Sequence, residues 1–109
     1  MATFFDVPKE TVFVSTIYNV DSVVTSSSFN RSVTYTVPAS RIAKVTAFIY
    51  ITGNSFTSSI TIGSQSRNFY GVISLFLQAN ETLAVAASGS AQSGRVINIG
   101  IIGALFGVP

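Results

Sequence analysis

The feature that most constrains this chain is a two-residue alternation of aliphatic and other side chains. It is clearest in residues 43–52, where the aliphatic positions are Ala43, Val45, Ala47, Ile49 and Ile51. Successive side chains of a β-strand point to opposite faces of the sheet, so this pattern predicts a strand with one buried face. Residues 12–20 and 33–37 alternate in the same way. No segment has the sustained 3.6-residue period of an amphipathic helix.

The composition favours the same fold class. Ile, Val, Thr, Phe and Tyr supply 48 of the 109 residues, and β-branched and aromatic side chains pack best on a pleated surface. Charged residues make up only 9% of the chain, whereas an ordinary domain has about 25%. Because disordered chains are poor in apolar residues and rich in charge, the sequence predicts a folded all-β domain.

Turn signals divide the chain into seven or eight strands spaced by about ten residues, which is typical of an antiparallel β-sandwich or barrel. We expect residues 1–10 to form an N-terminal arm, 11–103 the β-sandwich domain and 104–109 a C-terminal apolar tail. The Ser-rich residues 21–31 are expected to form a loop or a weak edge strand. Residues 72–77 are nearly all apolar, which predicts a strand buried on both faces.

The residues that carry most enzyme chemistry are missing. The chain has no His and no Cys, and its four carboxylates are Asp6, Glu10, Asp21 and Glu81. Asp6 and Glu10 lie in the predicted N-terminal arm, Asp21 in the Ser-rich segment and Glu81 in a predicted turn. We therefore expect solvated surface groups rather than a catalytic pair or a metal site. Residues 89–94 space two glycines like a phosphate-binding loop, but Arg95 and Val96 replace the required Lys and Ser or Thr. We therefore expect no enzymatic activity, no metal and no cofactor.

Charge and hydropathy give no sign of nucleic-acid or membrane binding. The six cations are scattered singly along the chain, whereas a nucleic-acid surface clusters them. Residues 96–109 are mostly apolar but are shorter than the roughly 20 residues of a membrane-spanning helix. The first ten residues lack the basic and apolar regions of a signal peptide.

Apolar residues exceed what one small domain can bury. Phe48 and Tyr50 lie opposite the aliphatic row of their strand, and large apolar residues also occur near both termini. Extensive exposed apolar surface usually marks an interface, so we expect a homo-oligomer. The alternative is that one layer of the sandwich buries both rows internally. The interface candidates are Phe4, Phe5, Phe48, Tyr50, Leu105 and Phe106.

Three stretches together resemble small jelly-roll domains of tailed-bacteriophage virions. They are YTVPASRIAKVTAFIYIT (35–52), LFLQANETLAVAASGSA (75–91) and VINIGIIG (96–103). Such domains occur in capsid decoration (cement) proteins and in the heads of tail fibres and spikes. The resemblance implies an antiparallel jelly-roll-like β-sandwich of about eight strands, commonly trimeric, that binds other virion proteins or a host surface. It implies no catalytic residue.

Among these roles, a capsid decoration protein that binds the major capsid shell as a homotrimer fits a single compact domain best. The resemblance then implies a structural protein located on the capsid surface of the virion and made in the host cytoplasm. In this interpretation Phe48 and Tyr50 contact other subunits, and Phe4, Phe5, Leu105 and Phe106 contact either other subunits or the shell. The alternative is a tail-fibre or spike head domain that binds a host receptor or glycan.

Overall fold

The computed structural model describes residues 12–25, 28–52, 56–90 and 94–107. This part of the chain contains eight strands and no helix. The strands are β1 (Val12–Thr25), β2 (Phe29–Thr36), β3 (Arg41–Ile51), β4 (Phe56–Ile62), β5 (Gln65–Asn68), β6 (Gly71–Leu77), β7 (Thr82–Gly89) and β8 (Arg95–Gly107). They form two four-stranded antiparallel sheets that pack face to face, so the all-β sandwich is confirmed.

The order of the strands is that of a jelly roll. One sheet, here called sheet A, has the order β1-β8-β3-β6, and the other, sheet B, has the order β2-β7-β4-β5. Apart from the β4–β5 hairpin, every strand is followed by a strand of the opposite sheet. Two interlocked Greek keys of this kind define the jelly-roll fold.

The core lies between the two sheets and is built from the alternating aliphatic rows. The predicted row of β3 is fully buried, and it packs with rows from the other long strands. Those rows include Leu83, Val85 and Ala87 of β7 and Ile97, Ile99 and Ile101 of β8. Their burial from water is the main favourable contribution to folding, and it fixes which face of each strand points inward.

The expectation for residues 21–31 was right in part. Residues 21–25 do not form a loop, because they continue β1, an edge strand of sheet A, where they pair with residues 95–99 of β8. The expectation for residues 72–77 was wrong. β6 is not buried on both faces, because it is an edge strand of sheet A and its alternate residues Val72 and Phe76 are 72% and 55% exposed. A continuous apolar run can therefore also belong to a half-exposed strand whose outward row is apolar.

The expected apolar tail does not begin at residue 104. β8 continues to Gly107 and pairs with both β1 and β3 over its last residues. Gly103 makes this continuation possible, since a Cβ there would collide with the Lys44 carbonyl oxygen and lie 2.8 Å from the Val45 Cα. As a result Leu105 is only 8% exposed and belongs to the core.

We expect Gly103→Ala to lower the free energy of unfolding by about 3 kcal/mol or more, because the added methyl group forces apart the paired backbones of β3 and β8. Gly63→Ala is the control. Gly63 has a positive φ of 61° but open space around it, so its substitution should cost only about 1 kcal/mol. Urea unfolding of the two variants measures the difference. Equal losses of unfolding free energy in the two variants would show that the close approach of β3 and β8 at Gly103 does not contribute to stability.

Candidate interaction surfaces

The outer face of sheet A is largely apolar. We call it the apolar face, and its apolar members come from all four strands: Phe13, Tyr18, Val20, Val24, Ile42, Phe48, Tyr50, Val72, Phe76, Val96, Ile102, Ala104 and Phe106. Tyr18 is the most exposed of the large side chains, at 80%. Among the described residues of this face only Lys44 is charged.

Contacts within the apolar face order its side chains. Phe48 lies over Gly100 of the neighbouring strand, where a Cβ would be only 2.7 Å from its ring, and this position leaves Phe48 half-buried. Phe13 and Phe106 meet edge to face, with ring centroids 6.2 Å apart. The ammonium group of Lys44 lies 5.9 Å from the centre of the Phe76 ring, a distance at which a cation is attracted to the ring face.

The structure places the predicted interface residues in three different environments. Phe48, Tyr50 and Phe106 lie on the apolar face. Leu105 does not, because the alternation of β8 turns its side chain into the core, and this part of the prediction was wrong. Phe4 and Phe5 lie outside the described residues.

Sequence reasoning missed most of the apolar face. Tyr18 was expected on a strand for which the alternation did not say which row points inward. Val72 and Phe76 were expected on a strand buried on both faces. For β6 the two rows are almost equally apolar. Pairing gives the missing information: Lys44 pairs with Phe76, and Phe48 pairs with Val72, so all four side chains share one face.

The outer face of sheet B has the opposite character. Its outward residues are almost all small or carry a hydroxyl or amide group, and we call it the hydroxyl face: Asn30, Ser32, Thr34, Thr36, Thr57, Ser59, Thr61, Ser66, Asn68, Thr82, Ala84, Ala86 and Ser88. Hydrogen bonds cross between neighbouring strands, for example Thr36 to Thr82 at 2.8 Å and Thr57 to Ser88 at 3.1 Å. None of these residues is charged.

One ion pair ties the two sheets together along the β1–β2 edge. The Nε and Nη2 atoms of Arg31 donate to the two carboxylate oxygens of Asp21, each at 2.7 Å. The hydrogen bonds from Arg31 hold the pKa of Asp21 below its ordinary value, although partial desolvation opposes the shift. Next to this pair, Asn19 Nδ2 donates to the Thr34 carbonyl at 2.8 Å. Asp21 therefore has a structural role and is not simply solvated.

The other charged groups of the described residues do not assemble into a reactive site. The Glu81 carboxylate accepts a hydrogen bond from the Gln78 backbone N–H in the β6–β7 turn. Arg95 is buried, and its guanidinium lies 5.5 Å from the centre of the Phe29 ring. Within the described ranges there is no group of three or more His, Cys, Asp or Glu residues that could hold a metal ion. Asp6 and Glu10 lie outside these ranges. The described residues also include no helix long and apolar enough to cross a membrane.

Comparisons with known proteins found no relative of this chain. No protein-family model, no curated protein and no solved structure matches the chain. The function is therefore inferred from the two outer surfaces, since a fold alone does not define a function.

We expect Asp21→Asn to remove a pH-dependent contribution to stability. The pKa of Asp21 is lower in the folded chain than the ordinary 3.8, so the ion pair stabilises the fold above that value and is lost as the pH falls through the folded pKa. Urea midpoints at pH 7 and pH 2.5 should therefore differ less in D21N than in the wild type. An unchanged pH dependence would contradict the role of this pair, and Arg31→Gln should reproduce the D21N result.

Proposed function

We propose that this chain is a non-enzymatic structural virion protein, a capsid decoration protein that binds the major capsid shell as a homotrimer. The observation that carries the proposal is the apolar face. A soluble monomer rarely exposes a continuous apolar patch of more than a few hundred Å². This face extends over four strands and includes large aromatic side chains such as Tyr18, Tyr50 and Phe76.

We infer that the apolar face binds further copies of this chain. Four strands about 4.8 Å apart, averaging about eleven residues of about 3.3 Å each, give the whole outer side of sheet A, with its polar residues included, a projected area of roughly 700 Å². This is close to the 800 Å² or so that each partner contributes to an interface of standard size. The face also has a single described charge, Lys44, so little charge repulsion opposes contact between identical faces.

The number of subunits and the shell partner come from the resemblance to tailed-phage jelly rolls. The jelly-roll strand order supports that resemblance at the level of fold. In a three-fold ring each contact is heterologous, so one part of the apolar face would pack against a different part of the same face on the next subunit. The assembled protein then presents its other surfaces to the capsid, on the outside of the virion, after synthesis in the host cytoplasm.

Light scattering on the purified protein should give about three times the chain mass of 11.5 kDa. Val72→Asp should shift this mass to that of a monomer, because a carboxylate would be buried without a partner at the interface. Val72 is 72% exposed in the single chain, so the substitution should leave the fold intact. Phe48→Asp should have the same effect on assembly.

Thr34→Asp is the matched control, because it adds the same charge to an exposed strand position on the hydroxyl face. We expect T34D to remain trimeric. A wild-type protein that is monomeric at micromolar concentration, or a trimer that V72D leaves unchanged, would contradict the proposed assembly.

The virion role is tested by immunogold labelling of purified particles of the phage that encodes the chain. We expect label over the capsid surface. Label confined to the tail tip would replace the proposal with the fibre or spike head alternative. Particles without label would exclude both roles.

A further inference from the structure

β6 is an edge strand with none of the features that usually keep exposed edges from pairing. It lies at one edge of sheet A, and within the described ranges it pairs only with β3. Its sequence, GVISLFL, has no charged residue and no Pro, and it pairs with β3 in a regular register. Proteins usually protect an edge with charges, Pro, bulges or a short strand, because its outer backbone N–H and C=O groups can accept another strand. β6 is therefore open to a partner.

The other three edge strands each carry a charge in the row that points toward the core. Asp21 of β1, Arg31 of β2 and Arg67 of β5 share their rows with buried core side chains. An inward charge on an edge strand hinders pairing, because a further strand would bury it. In β6 the corresponding row holds Ile73 and Leu75 instead.

The core is open to water along β6. Ile73 lies in the core-side row, since it pairs with the fully buried Ala47, yet its side chain is 39% exposed. In the outward row, Val72 and Phe76 are 72% and 55% exposed. Apolar side chains are thus exposed on both faces of a strand whose outer backbone groups have no partner strand within the described residues. One further strand would cover both rows and pair with this backbone.

The proposed three-fold assembly needs more surface than the apolar face supplies. In a ring each subunit meets two neighbours, so each contact receives about half of the roughly 700 Å² of projected area. A standard interface uses about 800 Å² per partner. Each contact in a ring also joins two different parts of the subunit. The two edges of sheet A are different strands, β6 and β1, so pairing between them adds surface of the required kind.

We propose that β6 pairs with β1 of the neighbouring subunit and joins the A sheets of the trimer edge to edge. This inference rests on the proposed three-fold assembly. β1 and β6 run in opposite directions, because three antiparallel pairings separate them within sheet A. In a ring whose axis lies along the strands, the new pair is therefore antiparallel and continues the alternation of the sheet.

The first part of β1 suits this pairing. Residues 12–20 contain no charge and no Pro, and Phe13 and Tyr18 are 56% and 80% exposed. The register of β1 with β8 shifts just after Phe13 and is regular from Ser15 onward. The outward rows of β1 and β6 both belong to the apolar face, so the pairing joins the apolar faces of neighbouring subunits into one surface.

Ile73→Lys tests the edge separately from the apolar face. It gives β6 the inward charge that the other edge strands have, and the long side chain can reach water in the single chain because Ile73 is partly exposed. Light scattering should show I73K as a monomer at a concentration at which the wild type is a trimer.

Ile62→Lys is the matched control. Ile62 is a half-buried residue that packs against the core from sheet B, which takes no part in the proposed pairing. We expect I62K to remain trimeric. Far-UV circular dichroism of I73K and I62K checks that both variants keep the strand content of the wild type.

Disulfide cross-linking identifies the strand that pairs with β6. The chain has no Cys, so a disulfide can form only between introduced residues. Ser74→Cys, in the exposed outward row of β6, is combined in turn with a Cys at each outward position along most of β1: Phe13, Thr16, Tyr18, Val20 and Ser22. Because a disulfide needs Cα atoms about 4.4–6.8 Å apart, oxidation should produce covalent dimers and trimers in one or two of these double variants. The S74C single variant should remain monomeric on a non-reducing gel.

An I73K protein that remains trimeric would overturn the pairing of β6, whereas loss of the trimer in V72D would still support assembly through the apolar face. Cross-linking of S74C alone would show that two β6 strands pair with each other and would also overturn the inference, as would double variants that never cross-link. Cross-links between β6 and β1 in an assembly of another mass would contradict the number of three subunits and support the strand pairing.

Discussion

The core and the outer surface of sheet A both depend on the packing of β8 between β1 and β3. Its inward row fills the centre of the core, and its backbone pairs with both neighbours up to Gly107. Gly103 permits the close approach to β3, and Gly100 makes room on the outer side for the Phe48 ring. Gly100 and Gly103 both lie on β8. The packing of the core and of the apolar face therefore depends on the register in which β8 pairs with β3. A shift of one residue would turn the isoleucine row outward.

The two outer faces divide the surface into regions of different chemistry. The apolar face gathers aromatic and aliphatic side chains from four strands, whereas the hydroxyl face carries small, uncharged polar groups. Surface that would be costly to leave in water is thus concentrated on one sheet, which favours association through that sheet. The opposite sheet exposes hydroxyl and amide groups, several of which hydrogen-bond to one another across neighbouring strands.

Much of the fold could be predicted from the sequence. The alternation in residues 12–20, 33–37 and 43–52 predicted strands close to the observed β1, β2 and β3. The failures have a common cause. The continuation of β1 beyond residue 20 and of β8 beyond residue 103 depends on partner strands distant in sequence. The Ser-rich composition of residues 21–31 and the expected domain end at residue 103 were overridden by these pairings.

The sequence by itself determined the fold class and excluded any site that needs a His or Cys side chain of this chain. Side-chain alternation and the absence of His and Cys are local or compositional facts, and they do not depend on how the strands pair. Only the tertiary structure decided which rows share a surface. It placed Tyr18, Phe48 and Val72 on one face, moved Leu105 into the core, and left Ile73 exposed at an edge of sheet A. Such groupings arise from pairing between residues tens of positions apart, and a period of two along one strand contains no information about its neighbours.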